Sequence, residues 1–250
     1  MKIAVCIKRA PDSETRFKVA ANGTGIDEAG VKWDMGDFDS YAVEFALQTN
    51  EKQGGGEVVV ISLGGDNVQE ILRKALSMGA DRAVQLRADG FIADNFAVAT
   101  ALAAELKDGG YDLVLFGKLG SDTAAGAVGS MTAELLGIPV VNAVSKLEVA
   151  PGKGSAERSL EGATERVEFP LPAAVTIDEG IARPRYPSLK GIMAAKKKPL
   201  ESKPAQLGEQ RITVTKMELP ADRPPGRIIG KGVEAVPELI QLLQTEAKVL

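Results

Sequence analysis

Through the first half of this chain, short apolar runs alternate with segments in which apolar residues recur every third or fourth position. The runs Lys2–Ile7, Val58–Ser62, Ala83–Leu86 and Leu113–Phe116 are each bounded by polar or glycine-rich residues, as strands buried on both faces of a parallel sheet are. Between them, Phe38, Tyr41, Ala42 and Phe45 share one helical face, and Val68, Ile71, Leu72, Ala75 and Leu76 share another. Asp66 with Gln69 three residues on predicts a capping box for the second helix. A third helix is predicted over Asn95–Leu106, and a fourth over Asp122–Leu136 that stops at Gly137 with Pro139 beyond. Strands alternating with helices in this way predict an α/β fold with a doubly wound parallel sheet.

The pattern changes after Pro139. Val140–Val149, Ala156–Leu160, Thr164–Phe169 and Ala173–Ile177 read as strands separated by Gly and Pro turns, an added antiparallel strand region. Asp178–Pro204 reads as loop with a short helix over Ser188–Lys197. Pro204–Gly232 is broken by prolines and glycines and holds one strand-like segment, Arg211–Met217; a last helix over Val236–Ala247 follows. The expected division is an α/β domain over residues 1–200, including a partner-recognition loop at 183–198, and a C-terminal arm and helix over 201–250 that lies on another polypeptide.

Composition narrows the chemistry. The 250 residues include no histidine and one cysteine, Cys6. Ser-His-Asp and Cys-His catalysis, His-ligated metals, intrachain disulfides and thiolate metal cages are therefore excluded. A net charge of −4 with 4% aromatics argues against nucleic-acid binding. No apolar run approaches the ~18 residues of a membrane span. A lone thiol suits a reducing, cytoplasmic location, and in the first strand Cys6 reads as a small buried hydrophobe.

The candidate chemistry gathers at predicted strand ends. Gly117, Lys118, Leu119, Gly120, Ser121, Asp122, Thr123, Ala124, Ala125, Gly126, Ala127, Val128 and Gly129 follow a strand and open a predicted helix. Small residues there admit a ligand close to the backbone, and a helix N-terminus favours phosphate. Neither a Walker A sequence nor a complete Gly-x-Gly-x-x-Gly occurs, so a small-residue helix packed on the sheet is an equal reading. Ser62-Leu63-Gly64-Gly65-Asp66 and Ile7–Asp12 end neighbouring strands in the same way, and such loops converging on one sheet edge form a nucleotide crevice. Asp34, Asp37 and Asp39 read as helix caps. Further on, Arg185, Tyr186, Leu189, Ile192 and Met193 place apolar side chains amid cations that end in Lys196-Lys197-Lys198, the composition of a transient docking surface.

These residues carry a family resemblance. Arg185-Tyr186, Leu189 three residues on, Ile192-Met193 and the closing lysines resemble the beta subunit of electron-transfer flavoprotein, and the resemblance extends over essentially the whole chain. Val5–Arg9, Met35–Phe38, Ala75–Arg82, Gly117-Lys118 through Met131-Thr132-Ala133, and Pro172–Thr176 match as well. The resemblance implies an alpha–beta heterodimer in which the alpha subunit makes most FAD contacts and the beta subunit buries a structural AMP. Electrons would pass from flavin dehydrogenases to the FAD and on to a membrane quinone oxidoreductase, both transient partners. The beta subunit would have no turnover of its own, the flavin carrying the chemistry. Residue by residue, it implies an AMP site at Cys6, Gly36, Asp37, Phe38, Leu63, and Gly117 through Val128, with Phe38 near the flavin. Gly36-Asp37 departs from the family's Asn-Pro, Gly120-Ser121 from Ala-Ile, Gly126 and Val128 from polar residues, and Ser159 from an acidic one.

Two other functions stand beside this one. A universal-stress-type nucleotide-binding protein would need neither the arm nor the 183–198 loop. An electron-bifurcating member of the family would hold a second FAD and oxidise NADH. No arginine lies within Gly117–Val128 to clamp a pyrophosphate, which favours a monophosphate.

Overall fold

The computed structural model describes residues 1–90, 92–223 and 225–250; Pro224, within the predicted arm, lies outside them. The strands are β1 (Lys2–Cys6), β2 (Arg9–Pro11), β3 (Trp33–Met35), β4 (Glu57–Leu63), β5 (Arg82–Arg87), β6 (Leu113–Gly117), β7 (Val140–Ala150), β8 (Lys153–Leu160), β9 (Ala163–Pro170), β10 (Ala173–Ile177) and β11 (Leu200–Pro204). The α-helices are α1 (Asp37–Lys52), α2 (Gln69–Met78), α3 (Asn95–Leu106), α4 (Val128–Leu136), α5 (Leu189–Ala195) and α6 (Val236–Leu242). Nine strands form one sheet in the order β11-β5-β4-β1-β6-β10-β7-β8-β9, and β2 pairs with β3 in a small antiparallel ribbon. From β11 to β7 all pairings are parallel; β8 and β9 are added antiparallel.

The period-2 alternation of each strand sorts its side chains into two cores. Ile3, Val5, Val58 and Val60 pack with α1 and α2 residues such as Val43, Leu47, Leu72 and Leu76. Ala4, Cys6, Val59 and Ile61 pack on the opposite face with α3 and α4 residues such as Leu102, Leu106 and Ala133. Helices on both faces of a largely parallel sheet make the fold doubly wound, as the alternating pattern predicts. Among the described residues, no helix is long and apolar enough to cross a membrane.

Four local expectations are corrected. The fourth helix begins at Val128 rather than Asp122, because Ala124 and Gly126 take φ of 50° and 59°, which a right-handed helix cannot contain. The capping box does not form. Asp66 lies in a 3-10 turn capped by Gly65 without a side-chain hydrogen bond, and the Gln69 Nε2 donates instead to Gln85 Oε1 at 2.9 Å. Leu200–Pro204 is a strand, β11, along the edge of β5. With that edge covered, Arg211–Met217 forms no strand; the Arg211 N–H donates to Asp94 at 2.7 Å, and its guanidinium lies over Phe96.

The chain divides into two compact units, Met1–Met217 and Glu218–Leu250. In the second, α6 continues into a π-helical turn over Leu243–Ala247, Arg227 pairs with Glu246 at 2.9 Å, and Val236, Leu239 and Ile240 are all exposed.

Candidate nucleotide-binding crevice

From β1 the chain builds outward through β4 to β5, then crosses back to lay β6 against the other side of β1. Open α/β sheets bind ligands outside the carboxyl ends of strands at such a reversal. Here that corner holds the turns after β1, β4 and β6. The last ladder pairs are Cys6 with Ile61 and Cys6 with Phe116, so Leu63, Lys8 and Gly117 stand side by side just beyond them.

The first turn of α1 plugs the gap. Gly36 is its N-cap and makes no side-chain cap bond. Asp39 does not cap the helix either. Its Oδ2 accepts from the Lys8 N–H at 2.7 Å and its Oδ1 from the Gly117 N–H at 3.1 Å. The approach is too close for a side chain at Gly117, and at Gly36 a side chain would have to displace the Asp39 carboxylate. A Cβ on Gly36 would lie 2.8 Å from Asp39 Oδ2, and one on Gly117 would meet the Asp39 carboxylate and Phe38. Burial pushes the Asp39 carboxyl up to about 7, against the pull of the Lys8 and Gly117 N–H groups and the Lys8 charge, with Asp122 adding to the rise. Burial likewise raises the Cys6 thiol, so this cysteine is protonated and inert.

The Gly117–Val128 segment leaves β6 and folds back on itself. Ala124 N–H donates to Gly120 O at 2.8 Å, and a Cβ on Gly126 would stand 3.4 Å from Lys118 O. Residues 121–126 are exposed. Backbone that changes hand, as at Ala124 and Gly126, turns successive N–H groups into an anion-holding concavity. The segment after β6 is therefore a loop of mixed hand, and α4 opens only at Val128. Its glycines differ in role: Gly126 supplies the left-handed turn, whereas Gly129 lets α4 approach Thr176 and Phe116. Lys8 Nζ pairs with Asp122 at 2.7 Å and Lys118 Nζ with Asp178 at 2.8 Å. Asp37 is exposed and Phe38 half-buried, its ring edge-on to Tyr41. The turn after β4 is held by Gln85. That side chain, fully buried, donates to Gly65 O at 2.8 Å and Gly64 O at 3.3 Å.

The 183–198 segment is built on the opposite principle, rigid below and apolar above. Arg185 faces inward: its fork grips Glu44 at 2.8 and 2.9 Å and Glu51 at 2.6 and 3.1 Å. Burial would raise the Glu44 pKa, yet hydrogen bonds from Arg185 and Gln48 hold it below its ordinary value. Ser188 caps α5 by accepting from the Gly191 N–H. A Cβ on Gly191 would strike Ser77 O, so α5 sits tight on α2. Lys198 is not part of a solvated cationic face. It donates to the carbonyls of Leu76, Gly79 and Ala80 at the end of α2. Tyr186, Leu189, Met193 and Ile192 are left 94%, 85%, 64% and 43% exposed.

A family model described as electron transfer flavoprotein domain matches residues 23–207. The chain belongs to the electron transfer flavoprotein family. It is 35% identical to the "Electron transfer flavoprotein subunit beta" of Bacillus subtilis (strain 168) over all of both chains. It is 35% identical to the human protein of that name over 98% of this chain and 97% of that one. A relative of the same name from Syntrophomonas wolfei is 36% identical over 96% of this chain and 92% of its own. Against this electron transfer flavoprotein background, the sequence reading placed Cys6, Gly36–Phe38, Leu63 and Gly117–Val128 at one site, and the fold brings them to one corner of the sheet. It read Asp39 as a helix cap, placed Lys8 only within the turn after the first strand, and gave Gln85 no role. Their signal was faint: a carboxylate deeper in a helix than a cap should be, and a glutamine in an otherwise apolar strand.

Proposed function

We propose that this chain is the beta subunit of a heterodimeric FAD-containing electron carrier. It passes electrons from flavin dehydrogenases towards a membrane quinone oxidoreductase and has no turnover of its own. Its alpha subunit makes most of the FAD contacts, and AMP occupies the crevice as a structural ligand. The observation that carries the reading is beta-subunit similarity along the full chain. Supporting it are a mixed-handed loop suited to a phosphate and an apolar surface mounted on a stiff base.

Bound flavin supplies the reversible one- and two-electron chemistry. The residues of this chain bind, orient and dock. The backbone of Thr123–Val128 would receive the AMP phosphate, and Cys6, Gly36, Asp37, Leu63 and Gly117 would line the rest of the site. Phe38 approaches the flavin. Tyr186, Leu189, Ile192 and Met193 enter a hydrophobic pocket on the dehydrogenase, while Arg185 and Lys198 hold the platform beneath them. The exposed apolar residues of α6 and the arm lie on the alpha subunit, in a cytoplasmic complex that is not membrane-embedded.

Co-expression with an alpha subunit tests this reading. The purified pair should accept electrons from a reduced flavin dehydrogenase, seen as loss of its flavin absorbance, and should not accept them from NADH. Reduction by NADH alone would establish the bifurcating function instead. A stable monomer that binds ATP and takes up no alpha subunit would establish the universal-stress type.

A further inference from the structure

We propose that Asp39 is the positioning residue of the crevice: by accepting from the Lys8 and Gly117 amides together, its carboxylate fixes the separation of the β1 and β6 turns and thereby the fit of the nucleotide between them. This inference rests on the crevice reading above.

Four observations support it. First, the β1–β6 ladder ends at Cys6 and Phe116. Lys8 lies two residues beyond that ladder and Gly117 one, and the strand reversal lies between them. Asp39 joins the two from the first turn of α1. Second, both its oxygens accept. Aspartate is the side chain of this size with two acceptors and no donor, and an asparagine would turn an NH2 towards an N–H. Third, the first turn of α1 packs so closely on β6 that a Cβ on Gly117 would lie 2.8 Å from the Asp39 main-chain N. Fourth, Lys8 is held twice, its N–H by Asp39 and its Nζ by Asp122, so the staple also reaches the Gly117–Val128 loop.

A buried carboxylate is a costly way to join two strands. Burial brings the Asp39 carboxyl up to about 7. The ionisable groups facing it are Lys8 beyond β1, Asp122 beyond β6, and the Cys6 thiol on β1. Protonation makes one oxygen a poorer acceptor and loosens the staple, so nucleotide retention depends on pH near neutrality.

The test compares the wild-type alpha–beta pair with Asp39→Asn. Three quantities are read: AMP affinity by equilibrium dialysis between pH 6 and 8.5, amide hydrogen exchange at Lys8 and Gly117, and thermal unfolding. The expected result at pH 8 is at least a tenfold loss of AMP affinity and at least tenfold faster exchange at whichever of the two amides faces the asparagine NH2, beyond what any fall in unfolding temperature accounts for. Wild-type AMP affinity should fall as pH drops through about 7, while that of the variant stays flat. Unchanged affinity and exchange would overturn the proposal. So would loss of AMP that only parallels loss of thermal stability, or wild-type affinity that rises as pH falls, since repulsion between the carboxylate and the phosphate would then dominate. If the variant does not assemble, wild-type exchange corrected for intrinsic pH dependence decides: protection at these two amides must weaken below pH about 7. A wild-type pair that binds no AMP overturns the crevice reading and not the staple, which the amide exchange tests by itself.

Discussion

Replacing Arg185 with alanine would remove the strut between the docking loop and α1. Glu44 is nearly buried, with 3% of its side chain exposed; it accepts two hydrogen bonds from the Arg185 guanidinium, one from the Arg185 main-chain N–H at 3.1 Å that the variant keeps, and one from Gln48 at 2.7 Å. Stripping one partner from a buried ion pair costs about 3–5 kcal/mol. Two features lower that figure here. Arg185 keeps 34% of its side chain in water, and Gln48 continues to serve Glu44. The Glu51 contact is at the surface and adds little. The expected loss is about 2–3 kcal/mol, or roughly 5–10 °C in a unit of this size. Its pH dependence is the sharper signature. Glu44 and Glu51 both titrate below their ordinary value, so the stability they contribute is full above the unfolded carboxylate pKa. It is lost as pH falls through the folded values. Thermal unfolding of the alpha–beta pair should therefore show a wild-type advantage that is full at pH 7 and shrinks only as pH falls below the ordinary carboxylate range, about pH 4. Arg185→Lys keeps a charge but not the fork, and should recover less than half of it. A loss below about 0.5 kcal/mol, or a gap that does not change with pH, would refute the argument.

Leu189→Ala should remove about 1.5–3 kcal/mol of apolar burial at the dehydrogenase contact, slowing electron transfer at least tenfold in stopped-flow reduction while flavin content and assembly stay unchanged. Gly126→Val forces a β-branched residue to φ near 59°, a strain of about 1–2 kcal/mol, and should deplete AMP from the purified pair as quantified by chromatography after denaturation. Lys198→Met leaves three carbonyls at the end of α2 without their cation and should lower stability by about 1–2 kcal/mol with faster amide exchange in α5. The chain expressed without its alpha subunit should aggregate and carry no stoichiometric FAD; a stable monomer with full flavin would contradict the role given to the arm.

The central strands were readable because burial on both faces leaves nothing but apolar residues between polar ends, as in Val58–Ile61 and Leu113–Phe116. The start of α4 was not. Thr123-Ala124-Ala125 is good helix sequence by local propensity, and only the left-handed backbone at Ala124 and Gly126, set by the loop's return to Lys118, keeps it open. Strand β11 escaped notice because Leu200-Glu201-Ser202-Lys203-Pro204 has little alternation; an edge strand joined through its main chain needs little. Arg185 and Lys198 looked like docking charges beside Tyr186 and Leu189. Their partners, Glu44 and the α2 carbonyls, lie more than a hundred residues away in sequence. Asp39 stood among other carboxylates at a helix start, and capping was the ordinary inference. Which carboxylate bridges two strand ends is decided by tertiary packing.

Complete nucleotide analysis of the purified alpha–beta pair tests the central claim most directly. Denaturing release followed by chromatographic identification and counting should yield one FAD and one AMP per heterodimer, with no flavin reduction on adding NADH. Two FAD per heterodimer and NADH-dependent reduction would contradict it.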